Sequence, residues 1–153
     1  CDAVKLEGGK SIIEQVKHLI NNKIPVMGHL GLLPQTNKGN FSSKGKTNKE
    51  KKKLITDALL LQRCGVFSIV LELIKTSTAK EITHKLMIPT IGIGSSVNCD
   101  GQVLVTDDLI GLNDTKIKFV KKFANTKKYL SFAIKKFASE VKSKKYPQKK
   151  HSY

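Results

Sequence analysis

Short apolar runs alternate with longer segments of helical period as far as about residue 110. The runs are Ala3 to Leu6, Ile24 to Met27, Val66 to Leu71 and Pro89 to Ile93, with a shorter one from Gln102 to Val105. They are rich in Val and Ile and none alternates cleanly, the pattern of strands covered on both faces of a parallel sheet. Between them, Ser11 to Asn22 carries Ile12, Ile13, Val16, Leu19 and Ile20 at helical spacing, with Ser11 as N-cap and Glu14 as its capping-box partner. Lys49 to Cys64 repeats the pattern with Leu54, Ile55, Ala58, Leu59 and Leu61, and Thr78 to Leu86 forms a shorter helix before Pro89. A βαβαβαβ order predicts right-handed crossovers and a parallel sheet, hence the α/β class.

The connection from Gly31 to Thr47 contains Pro34, Gly39, Ser42, Ser43 and Gly45. At that length it is expected to be functional or mobile. Beyond about Asp114, Ile117, Phe119, Val120 and Phe123, then Tyr129, Leu130, Phe132, Ala133, Ile134, Phe137 and Val141, are spaced for two amphipathic helices. Such aromatic stripes ordinarily pack against a neighbouring layer or subunit. The other reading, a basic helix lying on a membrane, wants tryptophan, and the chain has none.

Charge changes the picture less than its size suggests. The formal net charge is +16, but Arg63 is the sole arginine. Bidentate reading of phosphates and guanine edges favours arginine, so a lysine excess is weak support for a nucleic-acid reader and better explained as a solvated surface. Cys1, Cys64 and Cys99 are odd in number and far apart, which fits free thiols in a reducing cytoplasm rather than zinc or disulfides. No apolar run approaches the roughly 18 residues that span a bilayer. The first residue is Cys rather than Met, which reads as the interior of a longer protein.

Four polar groups fall at the ends of successive predicted strands: Lys5 with Glu7, His29, Glu72, and the turn Gly92-Ile93-Gly94-Ser95-Ser96. In a strand, Lys5 and Glu7 share a face, bringing an ammonium and a carboxylate together as if for an anion and a metal ion. Glu72 ends Ser68-Ile69-Val70-Leu71, where lost solvation raises a carboxyl pKa toward the range of a general base; a plain loop glutamate is the other reading. His29 has glycines on both sides, allowing close backbone approach to a ligand, and is equally readable as structural. Gly92 and Gly94 could present amides to a phosphate or ring edge, but lack the full dinucleotide fingerprint. Gly45-Lys46-Thr47 lacks the preceding loop of a nucleotide-triphosphate site.

Val4-Lys5-Leu6-Glu7-Gly8-Gly9, Ile24 to Leu32 with Pro34-Gln35, Val70-Leu71-Glu72, Ile88 to Gly94 and Cys99 to Val105 together resemble the ketopantoate hydroxymethyltransferase family. Tyr146-Pro147 and His151-Ser152-Tyr153 resemble its C-terminus. The resemblance implies a (β/α)8 TIM barrel of the phosphoenolpyruvate-mutase type, of which residues 1–153 would be the C-terminal portion of one barrel domain, with the N-terminal strands and their metal-binding aspartates absent. It also implies Mg²⁺, 5,10-methylenetetrahydrofolate as one-carbon donor, 2-oxoisovalerate as acceptor, and a decamer-type homo-oligomer. Under it Glu72 is the catalytic base, Lys5 binds the substrate carboxylate, and Glu7 stands on the metal side, directly or through water. His29, Gly92, Gly94 and Ser95 would line the pocket. Two departures stand out: Gly94-Ser95-Ser96 replaces a Gly-Ala-Gly turn, with Ser96 expected to narrow the approach to the folate, and Leu73-Ile74-Lys75 lacks the family's proline. A decayed, non-catalytic remnant or a cationic binding protein for RNA or acidic partners is the competing reading. It predicts no convergence of Lys5, Glu7 and Glu72.

Overall fold

The computed structural model describes residues 1–35, 42–114 and 116–153. The central part of the predicted connection from Gly31 to Thr47, including Gly39, lies outside the described residues. The chain divides into two compact units, Cys1–Val103 and Leu104–Tyr153.

The first unit is a five-stranded sheet with β1 (Val4–Glu7), β2 (Val26–Gly31), β3 (Ser68–Glu72), β4 (Thr90–Ile93) and β5 (Gly101–Gln102). Every neighbouring pair is parallel and the spatial order equals the chain order. The first four strands are joined by α1 (Ile13–Asn21, preceded by a 3-10 turn at Lys10–Ile12), α2 (Asn48–Arg63) and α3 (Thr76–Lys85). Sequential parallel strands joined by right-handed crossovers put successive helices on the same side. The core agrees: Val16, Leu54, Ala58, Leu61, Ala79 and Ile82 from the helices form one buried cluster with Val26, Leu30, Ile69 and Leu71 from the strands. Burial of each Val, Leu or Ile among them contributes about 1.5–3 kcal/mol.

The register separates the two faces of the sheet. Leu6 pairs with Gly28, Gly28 with Ile69, and Leu30 with Leu71, all on the helix side. Lys5, Glu7, Met27, His29, Ser68, Val70 and Glu72 occupy the alternate positions, and none belongs to the helix-side cluster. The strands are therefore not apolar on both faces, as the sequence pattern suggested. Met27, Val70 and Ile91 interleave with the polar residues and make the runs read as continuous.

Other differences are local. The α1 N-cap is Ile12, with no side-chain cap, because the 3-10 turn absorbs Ser11; Glu14 instead pairs with Lys17 at 3.0 Å. The capping box occurs on α2, between Thr47 and Glu50, where the Lys46 and Thr47 N–H groups hold the Glu50 carboxyl below the usual range. The strand expected from Gln102 to Val105 ends at Gln102.

In the second unit, α4 (Thr106–Leu109) precedes α5 (Thr126–Lys142). Among the described residues one long amphipathic helix forms: those from Lys116 to Asn125 make turns, including Val120 N–H to Ile117 C=O at 3.0 Å. So short an apolar repeat, crowded by Lys118, Lys121 and Lys122, is below the length at which a helix sustains itself. No residue of α5 is buried. The C-terminal segment folds back on it through Tyr146, whose ring meets Phe137 edge-on at 5.5 Å and His151 at 5.4 Å.

Candidate functional site

Glu7 is the last residue of β1 and stands opposite His29; Glu72 is the last of β3 and stands opposite Gly31, two residues beyond His29 on the same face. The register thus lays Glu7, His29 and Glu72 across three adjacent strands on the side away from the helices. His29 Nε2 is 3.1 Å from Glu72 Oε2, and its Nδ1 is 3.7 Å from Glu7 Oε1. The histidine side chain is 2% exposed, against 10% for Glu7 and 13% for Glu72. Neither ring nitrogen has a hydrogen bond among the described residues: the Glu72 contact is within reach but off in direction, and the Glu7 contact is too long. The second oxygen of Glu7 accepts the Gln35 N–H at 3.2 Å. Gln35 contributes only its main chain, a role its side-chain type could not signal.

Lys5 lies on the same face, two residues before Glu7, and is exposed. Among the described residues its ammonium has no ion-pair partner. The structure thus joins Glu7, His29 and Glu72 directly and leaves Lys5 free of them.

The glycines around His29 do something other than admit a ligand. A Cβ on Gly28 would meet Leu61 Cδ1 at 3.1 Å on the helix side, and one on Gly31, whose φ is +104°, would collide with the Glu72 carbonyl. Gly31 therefore lets β2 pass close to β3 at the point where Glu72 sits, and Leu32 N–H then donates to that same carbonyl at 2.9 Å.

The turn after β4 is braced from within. Ser95 Oγ donates to Ile74 C=O at 3.2 Å, and Gln102 Nε2 donates to Ser96 C=O at 2.8 Å. A Cβ on Gly92 would meet the Gln102 amide at 2.8 Å and Cys99 Sγ at 3.1 Å. Gly94 turns the chain with φ +59°. Ser96 is buried, and its hydroxyl accepts the Asn98 N–H at 3.2 Å. Asp100 takes both the N–H and the hydroxyl of Thr90, at 2.8 and 3.0 Å, and these bonds hold its carboxyl below the ordinary range. Asp100, directly ahead of β5, thereby clasps that strand to the start of β4.

No group of three or more His, Cys, Asp or Glu side chains among the described residues is arranged to hold a metal ion. Each carboxylate oxygen of Glu7 keeps a spare lone pair. Mg²⁺ takes hard oxygen donors, often only one or two carboxylates, and retains waters, so Glu7 fits as one contributor to such a site and is insufficient alone. Among the described residues, no helix is long and apolar enough to cross a membrane.

Comparison with known proteins agrees with the motif order. The family model for ketopantoate hydroxymethyltransferase matches residues 1–149. A protein of Pelagibacter ubique named 3-methyl-2-oxobutanoate hydroxymethyltransferase is 59% identical over 153 residues, covering 100% of this chain and 59% of the relative. Proteins of the same name from Clostridioides difficile and Saccharolobus solfataricus are each 47% identical, over 99% and 98% of this chain and 56% and 57% of their own lengths. The chain spans less than three fifths of these relatives. With matched residues running almost end to end, it belongs to the ketopantoate hydroxymethyltransferase family.

Proposed function

We propose that the full-length protein carrying this chain transfers a hydroxymethyl unit from 5,10-methylenetetrahydrofolate to 2-oxoisovalerate, giving ketopantoate. The observation that carries the reading is the meeting of Glu7 and Glu72 around His29 on the face of the sheet away from α1, α2 and α3, in a chain whose relatives bear that activity in their name. A purely cationic binding protein has no use for two partly desolvated carboxylates at strand ends on either side of a buried histidine. Sequential parallel strands with their helices on one face further support an arc of a (β/α)8 barrel, with residues 1–153 its C-terminal portion. In such barrels the strand C-termini carry the site.

In this reading Glu72 removes the proton from C3 of the oxo acid, and the resulting carbanion forms the new C–C bond to the one-carbon unit. Both bonds from that carbon to folate nitrogens break, water supplies its hydroxyl, and the proton from C3 and one from water go to those nitrogens as tetrahydrofolate departs. Lys5, exposed and on the same face, binds the substrate carboxylate. Glu7 would hold Mg²⁺, which when bound supplies positive charge that makes the C3 proton more acidic.

The test is exchange of the C3 proton of 2-oxoisovalerate for deuterium, followed by proton NMR with Mg²⁺ and without folate. The expected result is exchange that stops on adding EDTA. A folded protein that binds Mg²⁺ and leaves the C3 proton in place would overturn the assignment.

A further inference from the structure

A buried polar atom without an aligned partner is uncommon enough to require a cause, and the His29 ring has two of them. Each faces a carboxylate, Nε2 toward Glu72 and Nδ1 toward Glu7. The ring is the fixed member of the trio. It sits mid-strand between β1 and β3, and its own carbonyl accepts the Gly8 N–H at 3.0 Å. The carboxylates are the adjustable members, each on a flexible stem at a strand end and each keeping some access to solvent.

We propose that His29 is a positioning residue that aims the Glu72 carboxylate at the substrate and keeps it apart from Glu7. This rests on the reading of Glu72 as the base. Without the ring, nothing among the described side chains stands between the two carboxylates, and Glu72 is free to swing away from the C3 proton. Misplacing a catalytic group by about 1 Å can cost on the order of a hundredfold in rate. The loss belongs in the chemical step rather than in binding, because the His29 side chain is 2% exposed and both its nitrogens face carboxylates.

The experiment measures C3 deuterium exchange at saturating oxo acid, together with oxo-acid affinity, in full-length His29→Leu and His29→Gln proteins. His29→Leu is expected to lower the exchange rate about a hundredfold while affinity changes by less than about threefold. His29→Gln, whose amide nitrogen can reach toward Glu72, is expected to recover at least about tenfold of that loss. Wild-type exchange in His29→Leu, equal losses in the two variants, or a loss confined to affinity would each overturn the proposal. Should His29→Leu fail to fold, His29→Asn replaces it: its shorter amide reaches only the Glu7 side, and exchange as fast as in His29→Gln counts against the proposal. A parallel Glu72→Gln protein separates the two layers. Exchange that survives in it removes the base assignment and the positioning role together; exchange lost there but intact in His29→Leu removes the positioning role alone.

Discussion

The Asp57 carboxylate stands where a side chain on Gly9 would have to be. Asp57 is buried on α2, accepts the Lys10 N–H at 3.1 Å, and pairs with Lys53 at 2.6 Å. The turn leaving β1, directly after Glu7, is thus pinned to a helix that follows much later in the chain. Gly9→Ala is expected to destabilise by about 1–3 kcal/mol through overpacking. Asp57→Ala should cost a similar amount by leaving the Lys10 N–H without its acceptor, about 1–3 kcal/mol. The double variant should lose less than the sum of the two, because Asp57→Ala removes the carboxyl group met by the new methyl and leaves only the Cβ of residue 57 against it, at 2.6 Å. Urea midpoints of the two single variants and the double variant check this.

Glu72→Gln keeps the shape of the side chain and removes the base. C3 exchange should fall by about 10²–10⁴-fold, while oxo-acid binding measured by calorimetry stays within a few-fold of wild type. A parallel loss of binding would mean that Glu72 holds the substrate instead.

The two glycines beside His29 should behave differently. At Gly28 an added methyl meets the movable end of Leu61, and Gly28→Ala is expected to cost at most about 1–2 kcal/mol. At Gly31 the obstacle is the Glu72 carbonyl and the backbone is left-handed, so Gly31→Ala should separate β2 from β3 and yield insoluble or unfolded protein. Thermal melts of both variants, with solubility on expression, decide it.

Asp100 gives a pH signature. Its carboxyl is held below the ordinary value of 3.8 by bonds from Thr90, so its contribution is complete above that value and is lost as pH falls through the lower folded value. Asp100→Asn should therefore lower stability at neutral pH by about 1 kcal/mol, the exposed setting keeping the effect small. The gap from wild type should narrow as pH falls below 3.8. Chemical denaturation between pH 3 and 7 measures it.

The strands and their order were legible because Val and Ile runs bounded by Gly and Pro are hard to read otherwise. Glu7 and Glu72 were legible as candidates from their places at run ends. Their joining through His29 was not, since it depends on β1 and β2 pairing Glu7 with His29 and on β2 passing close to β3 at Gly31, where Glu72 sits. Thr47 reads as the end of the connection from Gly31, and Thr-x-x-Glu ahead of an apolar repeat is the signal that it also caps a helix. The expected second amphipathic helix failed because spacing records which face is apolar and says nothing of whether enough turns follow to sustain it.

Sequential strand order also bears on assembly and descent. Each strand meets only the strands before and after it, so the longest gap to be closed at any step is a single βα unit, and its entropic cost is small. Such a sheet can grow by accretion, one unit at a time, with no earlier pairing undone. The same arithmetic makes the unit a natural module of inheritance: a βα piece gained or lost at either margin leaves every interior hydrogen bond intact.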